Sequence, residues 1–196
     1  MGRRAILFDR DGTMCPNTGF VLAPEQLEIL PSAAPALALA TQGGFQTVLV
    51  TNQAAVALGH MTESRLDEIH RRLRAILAKD GARIDGLYWC PHHPAGVVPR
   101  YALDCSCRKP RPRMLWRARD EMGIDLVTSW LLGDRLDDLA AGAAAGVRTV
   151  LVRTGRGARE QARLGHPGIA RPDRIAEDVL EAVTWITAGA ACEAAR

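Results

Sequence analysis

Polar residues that could do chemistry together follow three short apolar runs of the sequence. Asp9 and Asp11 follow the first run, Thr51 the second and Asp134 the third. Continuous apolar runs separated by helical patterns predict parallel strands that are buried on both faces. The carboxyl ends of such strands meet at one edge of the sheet, where open α/β proteins bind their ligands. We therefore expect these four side chains to converge on one crevice.

The types of these residues suit phosphoryl transfer assisted by a divalent cation. The carboxylates of Asp9 and Asp134, with the backbone carbonyl of Asp11, form the kind of all-oxygen set that Mg²⁺ prefers. Asp9 is the expected nucleophile, forming an aspartyl-phosphate, and Asp11 is the expected general acid and base. Thr51 and Lys109 would neutralise the phosphoryl oxygens. Asp-x-Asp-Gly is also common in ordinary turns, so the first stretch alone does not decide the function.

The use of lysine singles out Lys109. The sequence has 25 basic residues, of which only Lys79 and Lys109 are lysines. A lysine in such a chain is there either by chance or because the position needs a compact ammonium group. Pro110 suits the first position of a helix, which would place Arg108 and Lys109 at a helix N-terminus. A helix start with two cations is a good site for an anion.

A second chemical cluster consists of two close pairs, Cys90 with His92 and Cys105 with Cys107. Each pair can bind one ion from a single turn, and together they supply the four N/S donors that a closed, structural Zn²⁺ site prefers. His93 is an alternative to His92, although the Cys-x-His spacing favours His92. Two such pairs fit a metal site better than a disulfide framework, and the other two cysteines are interpreted as ordinary thiols.

The hydrophobic pattern predicts a three-layer α/β fold, in which helices cover both faces of a parallel sheet. Ser32 is expected to cap the first helix, and His70 is expected to lie on the surface of the second. We expect a single domain over residues 1–196. Strands are predicted at 5–8, 45–50, 86–89, 129–132 and 149–152, and helices at 32–43, 62–80, 110–123, 139–145 and about 174–188.

Composition excludes several classes of function. The formal net charge of +3 is small and there is no basic run, so we expect no nucleic-acid partner. No apolar stretch is long enough to span a membrane, and the N-terminus leads directly into the first strand without a signal peptide. Clustered cysteines favour a reducing compartment. We therefore expect a cytoplasmic protein, acting as a monomer on a small molecule.

Four motifs resemble those of the haloacid dehalogenase superfamily. They are Asp9-x-Asp11-Gly12-Thr13, Thr51, Lys109 and Gly133-Asp134, in that order. Within that superfamily, residues 4–155 resemble the D-glycero-D-manno-heptose-1,7-bisphosphate 7-phosphatases and their histidinol-phosphate phosphatase relatives. The segments that carry this closer resemblance are Asp9–Thr13, Asn17–Val21, Thr51–Gln53, the cysteine and histidine set, and Cys107–Pro110.

The resemblance implies a Rossmann-like phosphatase without a cap domain, acting on a phosphorylated sugar with Mg²⁺, whose zinc-stabilised loop partly screens the site. It implies the same roles for Asp9, Asp11, Thr51 and Lys109, and places Asp9, Asp11 and Asp134 at the Mg²⁺ ion. It also implies a set of substrate-binding residues: Arg10, Asn17, Thr18, Gly19, Phe20, Asn52, Gln53, Ala54, Arg108 and Arg135.

The chain departs from the heptose enzymes after Gln53. Those enzymes usually continue with Ser-Gly and, further on, an arginine before a glycine, whereas this chain has Ala54, Ala55 and Leu58. The loss of a cation should weaken the hold on a second phosphate, because charge-assisted contacts are the strong ones. The heptose bisphosphate is the favoured substrate. Another sugar phosphate or histidinol phosphate is an alternative, as is a zinc-containing binding module on an inactive fold.

Overall fold

The computed structural model describes residues 2–194, with side chains as far as residue 190. Within these residues, six parallel strands form one sheet in the order β3-β2-β1-β4-β5-β6. This arrangement confirms the predicted α/β class. The strands are β1 (Ala5–Phe8), β2 (Gln46–Asn52), β3 (Gly86–Cys90), β4 (Trp130–Gly133), β5 (Arg148–Val152) and β6 (Arg174–Ala176).

Helices cover both faces of the sheet, because neighbouring residues of each central strand point to opposite sides. In β1, Ile6 and Phe8 pack into the core formed with the first, second and last helices, whereas Ala5 and Leu7 pack with the third and fourth. A strand buried on both faces reads as a continuous apolar run, which explains the sequence pattern. The helices are α1 (Ala33–Gln42), α2 (Glu63–Lys79), α3 (Arg113–Met122), α4 (Leu136–Ala145), α5 (Gly157–Gln161) and α6 (Val179–Ala194).

The strand order reverses at β1, which lies between β2 and β4. Phe8, the last residue of β1, is level with Leu49 of β2 and with Leu132 of β4, and the carboxyl ends of the three strands lie at the same edge of the sheet. The residues that follow them therefore share one crevice. A switch point of this kind is the usual position of a ligand site in an open α/β sheet.

The start of the last predicted helix is wrong. Residues 174–176 form the edge strand β6, paired with Val150–Val152, and the helix begins only at Val179. The boundary is set by Asp178, whose carboxylate accepts hydrogen bonds from the backbone N–H groups of Leu180 and Glu181 at 2.9 and 3.0 Å. This is an N-terminal cap that the apolar spacing of the segment concealed. The side chain of Cys192 lies outside the described residues.

The helix predicted from Pro110 begins three residues later, at Arg113. Arg111 precedes a second proline, Pro112, and the residue before a proline avoids the helical region. Lys109 therefore does not lie at a helix N-terminus, and the anion site predicted there from the helix start is wrong. Lys109 instead lies in the irregular segment that leads to α3.

Two smaller predictions also need correction. Ser32 precedes the first helical residue as expected, but its side chain makes no capping hydrogen bond. His70 is buried rather than on the surface, since it shares the inner face of α2 with Leu66, Ile69 and Leu73. Among the described residues, no helix combines the length and the apolar character that crossing a membrane requires.

Candidate active site

Lys109 forms the centre of the site. Its Nζ atom donates to Asp9 Oδ1 at 2.7 Å and to the carbonyl oxygen of Val50 at 2.7 Å, and it lies 2.6 Å from Asp138 Oδ1. An ammonium group has three N–H donors, and each has an acceptor here. Burial disfavours the charge, but Asp138 and Asp9 outweigh it and raise the pKa of Lys109 above its ordinary value. The lysine is therefore a permanent, fixed positive charge beside Asp9.

Three carboxylates surround this charge at the ends of β1 and β4. Oxygen atoms of Asp9, Asp134 and Asp138 lie within 4.8 Å of one another, and all three residues are buried. Asp134 Oδ2 accepts the backbone N–H of Arg156 at 2.8 Å, while its Oδ1 is buried without a hydrogen-bond partner among the described residues. A buried carboxylate oxygen without a partner is costly unless an ion binds it. The donor set therefore fits a hard divalent cation such as Mg²⁺.

The raised pKa values of these carboxylates also indicate a cation site. Burial raises the pKa of Asp9 to about 7, with further contributions from its carboxylate neighbours against the opposing effect of Lys109. Burial likewise raises the pKa of Asp134 to about 6, although the backbone N–H of Arg156 works in the opposite direction. Several carboxylates that share one buried site repel one another when ionised. A bound cation would relieve this repulsion.

The turn after β1 holds the carboxylates close together. Gly12 has a φ of 96°, a conformation that favours glycine, and a Cβ atom built there would overlap the carboxylate of Asp134. The carbonyl oxygen of Gly12 accepts the hydroxyl of Thr154 at 2.7 Å, which ties the turn to the segment after β5. The glycine in Asp-x-Asp-Gly thus allows the β1 turn to approach the end of β4.

Asp11 and Thr51 are joined through one glutamine. Gln53 Nε2 lies 2.8 Å from Asp11 Oδ2 and 2.8 Å from Thr51 Oγ1, so the amide donates to both. Thr51 is buried in β2, whereas Asp11 is partly exposed to the crevice. The structure thus brings together all the catalytic candidates that the sequence indicated.

An open cavity of about 470 Å³ lies above these residues. Its lining includes all the predicted substrate-binding residues except Thr18, which does not contribute to it. It also includes residues that the sequence argument did not select for substrate binding: Leu58, His93, Asp137, Asp138 and Arg156. The cavity is large enough for a phosphorylated sugar, because ordinary small-molecule sites fall in the range of about 300–1,000 Å³.

The four predicted zinc donors converge beside this cavity. Cys107 Sγ lies 3.1 Å from Cys90 Sγ, 3.3 Å from Cys105 Sγ and 3.2 Å from His92 Nδ1. His93 takes no part, since its Nδ1 atom accepts the backbone N–H of Ala95. One central ion can contact all four donors, which fits a closed tetrahedral Zn²⁺ site.

Comparison with known proteins supports this interpretation of the fold. A HAD-hydrolase-like family model matches residues 106–182. The D-glycero-beta-D-manno-heptose-1,7-bisphosphate 7-phosphatase of Escherichia coli K12 is 41% identical over 153 residues, which cover 78% of this chain and 80% of that protein. The chain belongs to the HAD-like phosphatase family that includes this enzyme. The resemblance seen in the sequence is confirmed, and with it the phosphatase class.

Solved structures of HAD-like phosphatases are similar in fold to this chain. The D,D-heptose 1,7-bisphosphate phosphatase of B. bronchiseptica, complexed with magnesium and phosphate, superimposes with a TM-score of 0.84 at 32% identity, over 95% of this chain and 99% of that one. The corresponding enzyme of Burkholderia thailandensis gives a TM-score of 0.69 at 25% identity, over 93% and 97% of the two chains.

Within this HAD-like site, sequence reasoning missed Asp138. It lies in the first turn of α4, four residues after Asp134, and its Oδ2 also accepts the backbone N–H of Arg135 at 3.1 Å. A usable signal was its place as the third residue of the helix, where an acidic side chain commonly bonds back to the backbone N–H of the N-cap residue. That position turns a second buried carboxylate toward Lys109.

Proposed function

We propose that the protein is a Mg²⁺-dependent phosphatase that removes the 7-phosphate from D-glycero-D-manno-heptose 1,7-bisphosphate through an aspartyl-phosphate. The main support is the arrangement at the sheet edge. A buried lysine is fixed against Asp9, and the neighbouring Asp134 has a buried oxygen without a partner among the described residues. This arrangement supplies the nucleophile, the positive charge and the cation ligands that phosphoryl transfer requires.

In this mechanism Asp9 attacks phosphorus with Oδ2, since its Oδ1 is held by Lys109. The bond from phosphorus to the substrate oxygen breaks, and Asp11, which enters the cycle in its protonated form, gives that proton to the oxygen as the sugar alcohol leaves. Asp11 then takes a proton from a water molecule that attacks the phosphorylated Asp9. Inorganic phosphate leaves, and both carboxyl groups return to their starting states.

Asp9, Asp134 and the Asp11 carbonyl would hold Mg²⁺, with the Asp138 carboxylate adding negative charge beside them. When bound, the ion would neutralise the carboxylates and the phosphate so that Asp9 attacks in its ionised form. Lys109 would stabilise the phosphoryl oxygens through its charge, since its three N–H groups already have protein acceptors. Thr51 would add a hydrogen bond, because its hydroxyl accepts from Gln53 and can still donate.

The walls of the cavity bear on the choice of substrate. Arg108, Arg135 and Arg156 all line it and could bind the phosphate that is not removed. On another part of the lining, Phe20 and Leu58 present apolar surface, and Phe20 packs against His60 with ring centroids 5.5 Å apart. Leu58 takes the place of the family arginine on one part of the lining, while Arg156 contributes a cation elsewhere to the same cavity. A bisphosphate therefore remains the favoured substrate.

Zn²⁺ is proposed as a structural ion of the loop that ends beside Lys109. The backbone N–H of Arg108 donates to Cys105 Sγ at 3.3 Å, and its guanidinium donates to the carbonyl of His92 at 3.3 Å. Asn52 Nδ2 donates to the carbonyl oxygen of Lys109 at 3.1 Å, and the backbone N–H of Lys109 donates to Asn52 Oδ1 at 3.0 Å. The metal cluster is thus continuous with the segment that presents the catalytic lysine.

The test is phosphate release with Mg²⁺ from a panel of substrates. The panel contains both anomers of the heptose 1,7-bisphosphate, hexose bisphosphates, sugar monophosphates and histidinol phosphate. We expect the highest kcat/KM for the heptose bisphosphate. Preference for another sugar phosphate or for histidinol phosphate would mean that Ala54 and Leu58 mark a different substrate on the same chemistry. No release from any member would contradict the proposed function and favour a binding module.

A further inference from the structure

Arg10 makes an unusual set of contacts for a residue beside a substrate cavity. Its guanidinium holds the Asp11 carboxylate with two parallel bonds, from Nε to Oδ1 at 3.0 Å and from Nη2 to Oδ2 at 2.9 Å. Nη2 also donates to Gln53 Oε1 at 2.9 Å. Arg10 is only 1% exposed, whereas Asp11 remains open to the crevice. The arginine thus approaches Asp11 from the protein interior.

His70 completes this set from α2. Its Nε2 atom lies 3.4 Å from Arg10 Nη1, and the residue is buried. Because a guanidinium can only donate, Nε2 must be the acceptor and the imidazole must be neutral. Burial lowers the pKa of His70 to about 3, with Arg10 and Arg74 adding to the effect, which agrees with a neutral ring.

Arg10 has little capacity left for substrate. A guanidinium has five N–H groups, and protein acceptors meet four of them here. A bidentate pair of this type fixes the orientation of a carboxylate as well as its charge. The orientation of Asp11 matters, because proton transfer needs its oxygen within hydrogen-bond reach of the leaving oxygen.

We propose that His70 is a positioning residue, which orients Arg10 so that Arg10 in turn holds Asp11 in line for proton transfer. The proposal rests on the phosphatase function proposed above and deepens it. His70 is not part of the cavity lining, whereas Arg10 is. We therefore expect His70 to act on the reaction through Arg10. Without the acceptor on His70, Arg10 Nη1 loses its partner in a buried position, and the hold on Asp11 loosens.

Two replacements of His70 separate this role from general packing. His70→Leu removes the acceptor, whereas His70→Gln keeps an acceptor oxygen on a side chain of similar reach. Ile69→Val is the matched control, since it trims the neighbouring buried residue of α2 without removing a hydrogen-bond acceptor from Arg10. Thermal unfolding and circular dichroism establish that all three variants are folded.

Substrates with different leaving groups provide the decisive measurement. An alkyl leaving group needs a proton from Asp11, whereas p-nitrophenolate leaves without one. The value of kcat/KM covers the steps up to the departure of that group. The two probes are the sugar phosphate with the highest kcat/KM in the panel above, expected to be the heptose bisphosphate, and p-nitrophenyl phosphate.

For His70→Leu we expect kcat/KM on the sugar phosphate to fall about tenfold, mainly through kcat, as for partial loss of a general acid. On p-nitrophenyl phosphate the fall should be less than about threefold, and His70→Gln should recover most of the loss on the sugar phosphate. Ile69→Val should behave as wild type with both probes.

Three results would overturn the inference: an equal loss on both probes, a loss that Ile69→Val shares, and full activity of His70→Leu on the sugar phosphate. If p-nitrophenyl phosphate is turned over too slowly by wild type, the contrast between His70→Leu and His70→Gln on the sugar phosphate decides. If wild-type protein hydrolyses neither probe, the proposed function itself fails, which is a different outcome.

Discussion

The carboxylate site at the sheet edge and the cysteine loop beside it are built on different principles. At the sheet edge, buried strands fix the backbone from which Asp9, Thr51 and Asp134 project. The loop from residue 91 to 112 has no helix or strand, and its apolar side chains Val97 and Leu103 are exposed. Packing thus determines the geometry of the first region. The second depends on buried Tyr101, on backbone hydrogen bonds to Ala57 and, in our proposal, on a Zn²⁺ ion held by the four donors.

The two regions meet at Lys109. The loop delivers this lysine, but its ammonium group is held by Asp9 and Val50 of the sheet edge and by Asp138 of α4. A change at the sheet edge should therefore remove the chemistry and leave the fold. A change in the loop should weaken stability and activity together. The predictions below test this contrast.

Asp9→Asn should have the largest effect. An amide cannot form the aspartyl-phosphate, so phosphate release should fall by at least about 10³-fold. The fold should persist, because asparagine has nearly the same shape and its amide oxygen can accept the Lys109 N–H that Asp9 Oδ1 accepts. Phosphate release and circular dichroism measure the two effects. A variant that keeps normal turnover would contradict the assignment of the nucleophile.

Lys109→Arg should come next, with a loss of about 10²-fold in kcat, comparable to losing one oxyanion-stabilising donor. The compact ammonium donates in three directions, and a planar guanidinium cannot match that arrangement. Lys79→Arg, at the end of α2, is the matched control and should leave activity unchanged. Similar activity in both variants would mean that Lys109 was retained by chance.

The sheet-edge site was predictable because it depends on strand ends. A buried apolar run followed by a carboxylate gives the position of Asp9 without any knowledge of tertiary contacts. His70 was not predicted, although it occupies the inner face of α2 between Ile69 and Leu73. The polarity of histidine favours the surface, whereas its helical spacing places it inward, and a buried arginine that donates to a neutral histidine is visible only in three dimensions.

In the cysteine loop, the chemical groups were easier to predict than the backbone. The four donors were predictable from two short pairs, but the path of the chain between them was not, because no periodic pattern governs it. The start of α3 at Arg113 follows from Pro112, a local signal that the stronger motif at Pro110 obscured. Spacing therefore predicts a metal cluster more readily than it predicts the loop that the cluster holds.

Cys107→Ser should have an intermediate effect. Loss of one of four donors should lower the zinc content, and activity should fall about 10- to 100-fold because Lys109 loses support two residues away. Metal analysis, thermal unfolding and phosphate release measure these changes, with Cys192→Ser as control. Freshly purified wild type without zinc would contradict the four-donor site. A variant without zinc but with full activity would show that the loop does not support the sheet-edge site.

Arg156→Gln should have the smallest effect and concern binding alone. Its backbone N–H donates to Asp134 Oδ2 and is kept by the substitution, while only the exposed side chain on the cavity wall is changed. An exposed cation contributes up to about 1 kcal/mol, so KM for the bisphosphate should rise about three- to fivefold with kcat unchanged.

Arg159→Gln is the control, because that arginine lies outside the lining of the main cavity and should leave KM unaltered. Equal KM values for wild type and Arg156→Gln would leave Arg108 and Arg135 to bind the second phosphate. A fall in kcat instead would mean that the side chain supports the carboxylates of the sheet edge rather than the substrate.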